Sequence, residues 1–117
     1  MIAEIRQAML QDAEAISPLM TQLGYQMTIE ELQGRLQSYL DQGDYRAFIA
    51  LDQNKVIGLI TLACFQHFVG PQRACRITAL VVDEKYRGKG VWKLLVAAGE
   101  RFAKDAGCFV KIGRAHV

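Results

Sequence analysis

Apolar and polar positions along this chain fall into runs with two different periods. Residues 2–8 show the short alternation of a first strand. Ile16, Leu19, Met20 and Leu23 then recur at helical spacing, and Gly24 stands where glycine commonly caps a helix in the left-handed conformation. Thr28-Ile29-Glu30-Glu31 has the form of a capping box: the Thr28 oxygen takes a free amide and Glu31 reaches back. It opens a second helix with the stripe Ile29, Leu32, Leu36, Tyr39 and Leu40, ended by Asp41-Gln42-Gly43-Asp44. Two strands follow over 46–51 and 55–65, joined by the hairpin-sized loop Asp52-Gln53-Asn54. Gly70-Pro71 turns the chain, and 76–82 reads as the next strand. After two glycines, Val91, Leu94, Leu95, Ala98 and Phe102 give the core face of a third helix, and Cys108–Lys111 starts one more strand. The predicted order is β-α-α-β-β-β-α-β, without repeats, linkers or low-complexity segments.

Composition narrows the class. The 117 residues suit one domain, and 51% hydrophobic content is enough for a core. A net charge of +2 gives no argument for nucleic acid or membrane surface. Cys64, Cys75 and Cys108 sit in apolar stretches without metal-ligand spacing, so reduced, buried thiols of a cytoplasmic protein are expected. Glu4 and Arg6 interrupt any early signal-like region. The longest apolar run, 56–65, is ten residues, against roughly twenty for a membrane helix.

The chemistry concentrates in 79–95, where an apolar strand meets a charged loop, two glycines and a helix start. First-turn amides of a helix lack internal partners and carry partial positive charge, and glycine lets an anion approach them. Lys85, Arg87, Lys89 and Lys93 supply four of the fourteen Lys+Arg residues here. A P-loop requires Ser or Thr after the glycines, and none follows. A dinucleotide fingerprint requires a third glycine where Lys93 stands. What remains is Arg-x-x-Gly-x-Gly/Ala, the pyrophosphate loop of acetyl-coenzyme A binders, matched by Arg87, Gly88, Lys89, Gly90 and Val91.

With the opening Ile5-Arg6-Gln7-Ala8, Asp12-Ala13-Glu14-Ala15-Ile16 behind it, and the order of elements, the chain resembles the GNAT-superfamily N-acetyltransferases. The resemblance implies an α/β (α+β) fold whose mixed, mostly antiparallel sheet is flanked by helices and splays open for the cofactor. It implies a single N-acetyltransferase domain over 1–117 that lacks the C-terminal helix and strands of the family. Residues 112–117 are expected to be a non-native tail, since ATC-GGA-AGA-GCA-CAC-GTC, a common sequencing-adapter sequence, encodes them; a natural polar tail is the other reading.

By the same resemblance, amides from Arg87, Gly88, Lys89, Gly90, Val91, Trp92 and Lys93 hold the pyrophosphate of acetyl-CoA, and Leu80, Val81 and Val82 pair with the pantetheine arm. Acetyl passes directly to a primary amine of a small molecule or peptide, with no metal, nucleic acid or membrane involved, and a homodimer is left open. An alkylammonium of pKa near 10 leaves roughly one molecule in a thousand neutral at pH 7, so a base or a water chain is expected. No residue announces itself as that base. Arg76, Thr78 and Ala79 occupy the strand positions where many relatives carry a carboxylate. Glu84 reads as a loop charge, His67 as a base or an exposed loop histidine, and Tyr86 as a packing residue. Tyr25 and Met27 are candidates for the acceptor pocket. Trp92 departs from the pattern, which has Gly or Ala there; an indole turned outward is expected. A coenzyme A-binding fragment without turnover is the alternative function, and a binder of nucleotide phosphates the third.

Overall fold

The structure, a computed structural model, describes residues 3–70 and 72–111. Eight main elements follow in the order β1 (Glu4–Gln7), α1 (Ala13–Leu23), α2 (Ile29–Asp41), β2 (Tyr45–Asp52), β3 (Lys55–Gln66), β4 (Arg73–Val82), α3 (Val91–Asp105) and β5 (Cys108–Lys111). Single 3-10 turns at Leu10–Asp12 and Glu84–Tyr86 lead into α1 and the glycine loop. The strands form one sheet in the order β1-β2-β3-β4-β5. Neighbours are antiparallel except β4 and β5, which run parallel. The predicted order of elements and mixed, mostly antiparallel sheet are therefore observed. Ile2 and residues 112–117 lie outside the described residues.

Local chemistry explains most boundaries. Gly24 caps α1 with φ +106°, where a side chain would be strained. Thr28 Oγ1 accepts from the Glu31 amide at 3.0 Å, while the Thr28 amide donates to Glu31 Oε1 at 2.9 Å. Asp52 pairs with Lys55, so the hairpin turn is only Gln53-Asn54, with φ +48° and +71°. Left-handed conformation at both positions matches the right-handed twist of the strands. β4 begins at Arg73, earlier than predicted, because Arg73 finds a partner in Gln66 across the hairpin.

Two apolar cores separate on the two faces of the sheet. On one face α1 and α2 cover Ala47, Ile49, Leu59 and Val81. On the other α3 covers Ala50, Ile60, Leu62, Leu80 and Val82. The third helix turns slightly from its predicted face: Leu94 is 42% exposed, while Val91, Leu95, Gly99 and Ala103 are buried. Close approach is the reason. A Cβ at Gly99 would stand 2.8 Å from Leu62 Cδ2, and one at Gly58 would stand 2.9 Å from Leu95 Cδ1. Two glycines from opposite layers thus let α3 settle onto β3 and β4.

The start of α1 is fastened to β1 by an ion pair between the exposed Arg6 and the buried Asp12. Arg6 Nη1 and Nη2 donate to the Asp12 carboxylate, each at 2.9 Å, and the Met9 amide donates to Asp12 Oδ2 at 2.7 Å. The Arg6 bonds hold the Asp12 carboxyl below its ordinary range, with the Met9 amide adding to the effect against desolvation.

Candidate active site

The glycine loop leaves a row of backbone amides without partners. Asp83 opens the 3-10 turn: its carboxylate accepts from the Lys85 amide at 3.0 Å and its carbonyl from the Tyr86 amide at 2.8 Å. Gly88 and Gly90 then take φ +79° and +85°, and a Cβ built on either would meet nothing within 4 Å. Gly90 caps α3 with no side-chain bond, and the first helical bond is Leu94 N–H to the Gly90 carbonyl at 3.3 Å. Among the described residues no acceptor takes the amides of Val91, Trp92 or Lys93. The electropositive first-turn amides are left for an outside acceptor, which is the condition for binding an anion.

Beside this loop runs the C-terminal half of β4. β5 accompanies β4 only from Arg73↔Cys108 to Arg76↔Lys111 within the described residues. The Asp83 amide donates to the Ile57 carbonyl at 2.8 Å, toward β3. Alternation of main-chain direction then points the groups of Leu80 and Val82 away from β3, toward the side of β4 on which β5 lies. The Val82 carbonyl there accepts from Arg87 Nε at 3.0 Å. Leu80 and Val82 turn their side chains to α3 and Val81 turns to α1 and α2, so only backbone is offered at the margin.

One register break shapes the other side of the cleft. Thr61 pairs with Ala79 and Leu62 with Ile77, which leaves Thr78 as the extra residue of a bulge. Thr78 and Ala79, consecutive in sequence, both line a cavity of about 260 Å³ beneath α1 and α2. Its walls are mainly apolar, with Ile16, Met20, Leu32 and Leu59 among them, and Tyr25 and Met27 stand at the connection between the helices. Its polar floor is a chain of hydroxyls: Tyr39 Oη lies 2.9 Å from Thr78 Oγ1, which lies 2.7 Å from Thr61 Oγ1. Arg35 is the charged residue of the described lining. Tyr39, Thr61 and Arg35 are site residues that the sequence pattern does not announce.

The remaining candidates lie apart from this cavity. His67 meets Phe65 edge-on at 5.3 Å near the β3–β4 hairpin, outside the cavity lining. The Glu84 amide donates to Gln22 Oε1 at 2.9 Å, tying the loop to α1. Tyr86 packs against the α3 core with Lys55 and Lys89 ammoniums 5.5 and 5.7 Å from its ring centre. Desolvation, then Asp52, raise its hydroxyl pKa, so it stays protonated at neutral pH. Trp92 is 38% exposed and outside both core clusters, consistent with the outward indole. Cys64 and Cys75 face each other across β3 and β4, are free thiols, and are pushed up in pKa by burial. Among the described residues, no group of three His, Cys, Asp or Glu is arranged to hold a metal. No helix among them is long and apolar enough to cross a membrane.

A helix start with open amides, beside a cavity of about 260 Å³ under α1 and α2, suits an anionic cofactor and a small partner. The family model described as "Acetyltransferase (GNAT) family" matches residues 8–117, and the chain belongs to that family. A GNAT family acetyltransferase from Staphylococcus aureus superposes with TM-score 0.85 at 27% identity, over 97% of this chain and 87% of that one. Glucosamine-6-phosphate N-acetyltransferase from Arabidopsis thaliana gives TM-score 0.86 at 22% identity, over 97% and 82%. AAC(6')-Iy, solved with the bisubstrate analogue CoA-S-monomethyl-acetylneamine, gives 0.82 at 20%, over 97% and 80%. No curated protein matches the chain.

Proposed function

We propose that this chain, as a single cytoplasmic N-acetyltransferase domain, transfers acetyl from acetyl-CoA to a primary amine of a small molecule or peptide. The observation that carries the proposal is the open row of amides at Val91, Trp92 and Lys93 beside the main-chain groups of Leu80 and Val82 that point away from β3. The diphosphate would lie on amides of Arg87 through Lys93, and the pantetheine arm would add to β4 along Leu80, Val81 and Val82. The amine lone pair attacks the thioester carbonyl carbon, a C–N bond forms and the C–S bond breaks. The coenzyme thiolate leaves and takes the proton that the amine nitrogen releases. A main-chain N–H of Leu80 or Val82 would steady the oxyanion. Before attack, the Tyr39–Thr78–Thr61 hydroxyls would receive the substrate ammonium and pass its first proton to water, leaving the neutral amine.

The second reading is a chain that binds coenzyme A without turnover. It draws on the described cavity lining, which holds no carboxylate and no imidazole. Calorimetric titration with acetyl-CoA, beside a thiol-release assay over a panel of amines, separates the two. Binding with amine-dependent thiol release supports transfer, binding alone supports the second reading, and failure to bind acetyl-CoA overturns both.

A further inference from the structure

The proposed transfer leaves the acceptor unnamed, and the cavity beneath α1 and α2 carries information about it. Its volume, about 260 Å³, falls below the roughly 300–1,000 Å³ of pockets for drug-sized ligands. A cavity of that size holds one small molecule or one side chain. The described lining holds no Asp or Glu, so a polyamine or other polycation finds no counter-charge. Its one charge is Arg35, one turn after Leu32 on α2.

Arg35 is held ready by the sequence around it. Glu31, four residues earlier, would be its natural helical ion-pair partner. That carboxylate is instead taken by the Thr28 amide at 2.9 Å, as part of the cap that starts α2. The Thr28 bonds keep the Glu31 carboxyl below its ordinary range, and the nearby charge of Arg35 adds to the effect without forming an ion pair. Among the described residues the ion pairs are Arg6 with Asp12 and Arg73 with Asp44, and none involves Arg35. An exposed guanidinium that makes no hydrogen bond or ion pair among the described residues, with only the charge of Glu31 nearby, therefore stands at the border of an apolar cavity whose floor is hydroxylic. Fork geometry suits a carboxylate, which it grips with parallel N–H bonds.

Resting on the proposed acetyl transfer, we propose that the acceptor is a small apolar primary amine carrying a carboxylate, of the class of apolar α-amino acids. Arg35 is its specificity-determining residue: the carboxylate meets Arg35, the apolar side chain fills the wall formed by Met20, Leu23 and Leu36, and the amine turns to the hydroxyls of Thr78 and Thr61.

The test uses leucine, methionine and phenylalanine against their carboxamides, with spermidine as the polycation. Binding to the coenzyme A-loaded chain is measured by calorimetry and turnover by thiol release. The expected result is a preference of about tenfold for the acids over the amides in affinity, and in kcat/KM where turnover is seen, with spermidine bound least. This preference runs against intrinsic reactivity, because removing the carboxylate charge makes the amine of an amide less protonated at pH 7. Arg35→Gln is expected to reduce the preference to about one, and Arg35→Lys to restore part of it, both at unchanged acetyl-CoA affinity. Equal or better binding of the amides overturns the proposal, as does a preference that survives Arg35→Gln, or no binding by any of these amines. If acetyl-CoA itself fails to bind, the reading of the family site fails first, and that result is separate from a loss of acid preference alone.

Discussion

The two sides of the cleft are made of different material. The loop and β4 margin present main-chain groups, with Gly88 and Gly90 empty of side chains and Leu80 and Val82 turned into the α3 core. The cavity beneath α1 and α2 presents side chains, and its polar features are Tyr39, Thr61, Thr78 and Arg35. A backbone surface tolerates many sequences provided the chain path is kept. A side-chain surface changes with each substitution, which suits a partner that differs among relatives.

The sharpest way to break this contrast is at Gly90. Valine there would suffer left-handed strain of about 1–2 kcal/mol and would put atoms where the diphosphate is expected. Gly90→Val should weaken acetyl-CoA binding at least tenfold by calorimetry; parental affinity would show that the loop backbone is not the anion site.

Asp12→Ala tests whether α1, a wall of the cavity, depends on its tether. Loss of the Arg6 and Met9 bonds should cost about 2 kcal/mol, read by chemical denaturation. The Asp12 pKa is lowered on folding, so its contribution is present above the unfolded value of about 3.9 and is lost as pH falls through the folded one. The stability gap between parent and Asp12→Ala should be constant near neutrality and close below about pH 4. A gap that persists in strong acid would assign the loss to packing.

Thr78→Val removes the middle hydroxyl of the floor. It should cost about 1 kcal/mol in stability, lower kcat/KM for the acceptor and leave acetyl-CoA affinity unchanged. A matching loss of coenzyme affinity would merge the two sides that we separate. The smallest effect is expected from Trp92→Gly, which should leave coenzyme A affinity unchanged or improve it, because the indole belongs to neither core cluster. A clear loss by calorimetry would mean that the indole itself grips the cofactor.

The contrast also explains what could be read beforehand. Glycine spacing at 88 and 90 reports a backbone conformation directly, since φ +79° and +85° exclude most other residues, so the loop was legible. The capping box at Thr28 and the stop at Gly24 are equally local and were read correctly. The hydroxyl floor was not. Tyr39 lies 39 residues from Thr78 and looked like one more apolar position on a helix stripe. Thr78 reaches the cavity only through a register break, which no pattern of hydrophobic positions announces. Leu94 was misassigned for a related reason: the close seat of Gly99 rotates α3 by an amount that helical periodicity cannot resolve.

The bond from Arg87 Nε to the Val82 carbonyl links the glycine turn to the tip of β4. On the proposed reading, phosphates rest at one end of that link and the thioester at the other. The side chain of Arg87 then acts as a strut that keeps both ends of one long, flexible cofactor at a fixed separation. Lysine would retain the charge but put no nitrogen at the Nε position, so the cofactor would remain bound with its acetyl group set wrongly for reaction.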